Sequence, residues 1–195
     1  MEKDSKRNRK ENIVISFAGK CNVLFLHRKH CFVPYVKKYE PEEEKVLDAL
    51  YTAAGIGQVI AARAYIAGAS GGCQAEIGSA CSMAAAAMSQ LMGLSIQEIE
   101  YSAEIAMEHH LGLTCDPICG LVQIPCIERN AVAAKRAIDS ANLAHMLVGT
   151  RTISFDMVVR TMYETGISMN RAFRETSEGG LAKLYSRRAG QTLGK

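Results

Sequence analysis

Three cysteines stand where an irregular stretch hands over to a helical pattern: Cys73 after Gly71-Gly72, Cys115 before Asp116-Pro117, and Cys126 after Pro125. A thiolate at a helix N-terminus is stabilised by exposed amides and the positive end of the helix dipole. These positions therefore suit a deprotonated cysteine that binds a soft metal. Forty-one residues lie between Cys73 and Cys115, and ten between Cys115 and Cys126. That spacing excludes the paired Cys-x-x-Cys ligands of a local zinc site and the tight run of a ferredoxin. It is compatible both with one shared metal site and with dispersed core cysteines. Cys81, inside an alanine-rich segment, reads as a small buried hydrophobe, and Cys119 beside Gly120 carries no assignment.

Other groups near these cysteines have two readings each. Gly71 and Gly72 let the backbone approach something large and non-protein, or simply permit a tight turn ahead of close alanine packing. Ser70, Gly71 and Gly72 are candidates to offer a hydroxyl and successive amides to an anion, or they only allow the turn. Glu128, Arg129 and Asn130 either orient a shell behind the Cys126 ligand or cap its helix. His109 and His110 fit a helix end with favourable dipole contact, and His145 fits a solvent-facing or satisfied core position.

The elements that must hold these residues are helical. Apolar residues from Val46 to Ala64 recur at helical spacing after the acidic opening at Glu42, predicting a helix to about Ile66 with Gly55 and Gly57 as close-contact or kink points. A second helix is predicted over about 75–92, with Gly93 as its left-handed cap. Ser95 and Glu98 fit a capping box that opens a third helix, which runs to about Leu111 and closes at Gly112. Pro125 suits the first turn of a fourth helix, which continues to Gly149, and Ser154 is a candidate N-cap for a shorter one ending near Gly166. The tail from Asn170 ends in a polar, basic segment. Residues 12–36 commit to neither helical nor strand period and read as a short strand or irregular packing segment.

Composition agrees. The 195 residues are 48% hydrophobic and 22% charged, without tryptophan and with only 6% aromatics, which favours close helix packing over a β-sandwich. The expected fold is all-α: a single helical domain of about five to seven helices, 42–195, after a polar leader and irregular segment, 1–41. A net charge of +3 is too mild to indicate nucleic acid. No apolar run reaches membrane-spanning length and no signal peptide is evident, so a cytoplasmic protein is expected, with its seven cysteines as free thiols or metal ligands.

Three ordered motifs carry a resemblance: Gly-Ala-Ser-Gly-Gly-Cys-Gln-Ala-Glu-Ile-Gly-Ser-Ala at 68–80, Leu-Gly-Leu-Thr-Cys-Asp-Pro-Ile-Cys-Gly-Leu-Val at 111–122, and Ile-Pro-Cys-Ile-Glu-Arg-Asn-Ala at 124–131. Together with Arg-Glu-Thr at 174–176 and Gly-Gly-Leu-Ala at 179–182, they resemble the iron-sulfur-dependent L-serine dehydratase family, alpha chain, over roughly 42–185. The resemblance implies a [4Fe-4S] cluster on Cys73, Cys115 and Cys126 with one iron lacking a protein thiolate. It implies a lyase of amino-acid catabolism and gluconeogenesis that eliminates water from L-serine. It also implies an oligomer and a beta chain that contributes a histidine, and the anion reading of Ser70, Gly71 and Gly72 makes them candidate contacts for the serine carboxylate. No histidine here matches a family motif, and no general base is assigned.

Upstream the match weakens. Where the family carries Thr-Ala-Gly-Ser, this chain reads Phe17-Ala18-Gly19-Lys20, and 27–32 also fits poorly. An active alpha component is therefore weighed against a catalytically incompetent alpha-chain fragment that keeps the helical core and its cluster ligands. A helical interaction module with free thiols would require the three motifs to be accidental.

Overall fold

The alanine-rich segment forms the central helix of the molecule. In the computed structural model, which describes residues 39–193 and side chains to residue 189, every residue from Ser79 to Ser89 is buried. The helices are α1 (Glu43–Arg63), α2 (Gly68–Gly71), α3 (Ser79–Leu91), α4 (Ile96–Glu108), α5 (Cys126–Met146), α6 (Phe155–Ser168) and α7 (Gly180–Leu193). Among the described residues there is no strand, and the fold is all-α. No described helix is long and apolar enough to cross a membrane. Residues 12–36 and the altered Phe17–Lys20 stretch lie outside the described residues.

Small side chains determine how the helices meet. α1, α4 and α5 all pack on α3. The buried stripe of α1 is Ala49, Ala53, Gly57 and Ile60, while Tyr51, within the expected apolar pattern, is exposed. Gly57 is a close-contact point, since a Cβ there would stand 2.9 Å from Met83 Sδ; Gly55 has open space around it and plays no such part. α5 brings Ala133, Ala137 and Ala141 to the same core. Such surfaces let backbones approach closely, and each buried methyl(ene) contributes on the order of 0.8 kcal/mol.

Because the core is tight, its polar groups must be paired within it. Ser82 Oγ donates to Ala103 O at 2.7 Å, Ser89 Oγ to Ser102 Oγ at 2.9 Å, and Cys81 Sγ to Ala133 O at 3.2 Å. Cys81 is a core residue, as its sequence setting predicts. Among the described residues, one buried side-chain oxygen lacks a partner, Oε1 of Glu104.

Several boundaries match expectation. Gly93 has φ +73° after α3, and the Ser95–Glu98 capping box is complete, with Ser95 N donating to Glu98 Oε2 at 2.7 Å. Ser154 Oγ accepts from Met157 N at 3.2 Å and caps α6. Three details differ. The helix expected from residue 75 begins as a π-helical turn, Gln74–Gly78, before α3. Pro125 precedes the fourth long helix as its N-cap, so Cys126 is that helix's first residue. The polar tail contains α7, whose start is anchored by a side chain distant in sequence: Leu181 N donates to Asp116 Oδ1 at 2.9 Å.

Candidate metal-thiol site

The two loops and one helix start that carry Cys73, Cys115 and Cys126 converge at the N-terminal end of the π turn. The three residues are buried, with exposures of 1%, 4% and 6%. The Cys73 and Cys115 side chains act on each other electrostatically, Cys126 acts on Cys115, and Cys73 acts on Cys126. That convergence is a tertiary fact, because 41 and then 10 residues intervene.

Each segment is held by directional bonds. Gly72 adopts φ +76°, and a Cβ there would lie 2.9 Å from Leu113 O and 2.7 Å from Met169 Sδ, so only glycine turns the chain into Cys73. Gln74, fully buried, spans three segments: its backbone N donates to Leu113 O at 3.0 Å, its Nε2 to Met162 O at 3.0 Å, and its Oε1 accepts from Gly112 N at 2.9 Å. Cys115 N donates to Phe173 O at 2.9 Å, which draws the 171–173 turn over that cysteine. At the third segment Asn130 Nδ2 donates to Cys126 O at 2.7 Å.

Behind the thiols sits a charged pair. Arg129 Nη2 meets Asp116 Oδ2 at 2.7 Å, with side-chain exposures of 18% and 3%. Arg129 Nη1 donates to Thr114 O at 2.6 Å and reaches Cys73 Sγ at 3.6 Å. Of the two readings for Arg129, contact with the cysteine shell is the one observed. Glu128 is exposed, and Asn130 serves its own helix.

The electrostatics divide the thiols. The Cys115 side chain, helped by Arg129 and opposed by burial, brings the Cys73 thiol below its ordinary range. Cys115, acted on by Cys73 and buried as well, is pushed strongly up, and burial also raises Cys126. Burial opposes the charge of Arg129, but Asp116 and Cys73 outweigh it and the guanidinium is held more firmly protonated.

The turn at 68–72 is built differently from an open anion nest. Ser70 N and Gly71 N both donate to Ala67 O at 3.1 Å, and Gly72 N donates to Gly68 O at 2.8 Å. The clearance that Gly71 and Gly72 were expected to leave for a cofactor is filled by protein: Ala75 and Tyr65 beside the first, Met169 and Leu113 beside the second. Gly68 is the glycine that faces the thiols. A Cβ there would lie 3.5 Å from Cys115 Sγ, 3.0 Å from Glu76 Oε2 and 3.7 Å from Glu175 Oε2.

Gly68, Gln74, Glu76, Asp116 and Glu175 were not singled out from sequence. Asp116 had one signal, its place beside Cys115, but its partners Arg129 and Leu181 are 13 and 65 residues away. The three described histidines bond elsewhere. His109 Nδ1 and His110 Nδ1 lie against Ile105 O and Ala106 O, and burial lowers the pKa of His110. His145 pairs with Glu98 at 2.6 Å and is largely exposed.

Among the described residues no group of three or more His, Cys, Asp or Glu side chains is arranged around a single metal ion. Three buried thiols on separate segments, one of them lowered, are of the donor type that a soft metal takes. Cys119 is exposed and Cys81 is committed to the core.

The sequence profile of the family described as "Serine dehydratase alpha chain" matches residues 18–182. L-serine dehydratase TdcG of Escherichia coli (strain K12) is 52% identical over 149 residues, covering 76% of this chain and 33% of that protein. The L-serine dehydratase of Streptomyces coelicolor is 48% identical over 157 residues, covering 80% and 33%. That of Helicobacter pylori is 47% identical over 162 residues, covering 83% and 34%. The chain thus spans about a third of the length of the curated relatives it matches.

Proposed function

The chain belongs to the serine dehydratase alpha chain family, and on that premise we propose that it is the cluster-bearing component of an L-serine ammonia-lyase. The carrying observation is the convergence of buried Cys73, Cys115 and Cys126 from three separate segments beside one half-buried cation, Arg129. In this reading the three thiolates hold a [4Fe-4S] cluster. When bound, that group supplies Lewis acidity toward the poor hydroxyl leaving group of serine.

The chain's own residues do the rest of the local work. Cys73, whose thiol is already lowered, is the first ligand to give up its proton. Arg129 stays protonated and balances negative charge on the sulfurs. Ser70 approaches substrate through its hydroxyl, since the amides of Ser70, Gly71 and Gly72 are engaged in their own turn. Loss of the α-proton and hydroxyl of L-serine leaves aminoacrylate, which hydrolyses to pyruvate and ammonia. The group that takes the α-proton is unassigned, and the family resemblance adds a beta chain that contributes a histidine near the cluster. A cytoplasmic oligomer is the expected setting.

A second reading rests on the altered Phe17-Ala18-Gly19-Lys20 stretch: the chain is alternatively a catalytically incompetent alpha-chain fragment that keeps the helical core and binds the cluster without turnover. Anaerobic reconstitution followed by iron and sulfide analysis, and a serine-to-pyruvate assay with and without a beta chain, separates the two. Bound iron and sulfide with pyruvate formation support the enzyme. Bound cluster without pyruvate supports the fragment. No iron uptake, or uptake unchanged by Cys115→Ala and Cys126→Ala, overturns the ligand assignment.

A further inference from the structure

We propose that Arg129 is a positioning residue: its guanidinium fork, locked by Asp116, holds the three cysteine-bearing segments in register and acts directly on the sulfur of Cys73. The inference rests on the three-cysteine ligand set proposed above.

One side chain reaches all three segments. Arg129 lies three residues after Cys126, so its backbone is one helical turn from that ligand. Its Nη1 donates to the carbonyl of Thr114, the residue before Cys115, at 2.6 Å and reaches Cys73 Sγ at 3.6 Å. The remaining arm, Nη2, is fixed on Asp116 at 2.7 Å. Asp116 is itself held from two other sides, by Thr114 Oγ1 at 3.2 Å and Leu181 N at 2.9 Å. The lock therefore extends to the start of α7. There Gly180, at φ +54°, lies so close to Asp116 Oδ1 that a side chain would collide with it.

Arg151 with Glu100 shares a withdrawn arginine, at 21%, but its carboxylate is 47% exposed, whereas Asp116 is 3% exposed; the remaining arginine ion pairs differ further. Arg63 with Asp156, Arg160 with Glu164 and Arg171 with Glu178 are surface contacts with arginine side chains 58–82% exposed. Such pairs contribute little. Arg129 is mostly withdrawn from water, where a cation is retained only if paired and hydrogen-bonded. An N–H donated to a ligand sulfur stabilises its negative charge, which favours the reduced state of an iron-sulfur group and slows ligand loss. A lysine keeps the charge but has no planar fork with which to serve Thr114, Asp116 and Cys73 together.

The test uses the full chain reconstituted anaerobically, as wild type, Arg129→Gln and Arg129→Lys. The readouts are the rate of iron loss to a ferrous chelator and the midpoint potential from a dye-monitored titration. Arg129→Gln is expected to lose iron about 10- to 100-fold faster, the usual cost of removing an outer-shell partner, and to show a lower potential. Arg129→Lys is expected to restore the potential in part while losing iron nearly as fast as the Gln variant. Should Arg129→Gln lose its helical circular dichroism, Arg129→Lys decides on the same readouts. Variants with wild-type potential and iron loss overturn the positioning role alone. A wild-type chain that takes up no iron overturns the ligand set, and this inference with it.

Discussion

The interior of α3 and the thiol pocket at its N-terminal end are built by opposite means. Along α3, position follows from size: Ala84, Ala85, Ala86 and Ala87 are almost wholly buried, and neighbouring helices close on them until backbones nearly touch. In the pocket, position follows from direction as well: Gln74, Arg129 and Asp116 each bond to several segments. The first region is sensitive to added volume and indifferent to charge. The second is sensitive to a lost partner.

The strongest way to break the contrast is Asp116→Ala. It leaves Arg129 without its counterion and removes an acceptor from Thr114 and Leu181. A cost of about 3 kcal/mol is expected from chemical denaturation, the low end for a broken buried pair because Arg129 keeps some solvent contact. A loss below about 1 kcal/mol would show that the pocket is held by packing after all.

Ala85→Leu addresses the other region. Ala85 has no exposed surface, and the added carbons must displace a neighbouring helix, so a loss of about 2 kcal/mol is expected. Iron uptake should survive in the folded fraction, since the thiol segments have their own bonds.

Glu104 links volume and charge, because it is a carboxyl buried in the size-governed region. Burial, the Glu108 hydrogen bond and repulsion from Glu108 and Glu100, opposed by Arg151, push its pKa up to about 7 from an ordinary 4.5. The folded state thus favours the protonated acid. That contribution is complete below 4.5 and is lost as pH rises through about 7. Glu104→Gln should flatten the decline, read as urea midpoints at about pH 5 and about pH 8. A decline of unchanged size would assign it to other groups.

Gly57→Ala should have the smallest effect, within about 1 kcal/mol of wild type. Its Cβ would meet the flexible thioether of Met83, and alanine's better helix propensity offsets the crowding. A larger loss would mean that Met83 cannot move.

Much of this was legible along the chain. The helical period, the Ser95–Glu98 box, the Gly93 cap and the burial of Cys81 depend on neighbours within a few residues or on apolar pattern, and all are present. α7 was not legible, because an amide of its first turn is bonded by Asp116 from 65 residues away. The surroundings of the glycines were not legible for a similar reason. Gly71 and Gly72 read from sequence either as cofactor clearance or as a tight turn, and what fills the space beside a glycine is decided by which elements pack there. Those elements put Met169 and Leu113 at Gly72, and Cys115 at Gly68.

The sequence by itself determined the all-helical class, the family and the three junction cysteines, since residue type, period and ordered motifs are properties of the chain read in one dimension. Only the tertiary structure decided that those cysteines meet, that Cys73 and Cys115 act on each other's charge, and that Arg129 reaches across to Cys73 with Asp116 behind it. The physical reason is range: helix signals act over a few residues, whereas a buried thiol takes its charge and its partners from whatever the fold brings within a few ångströms.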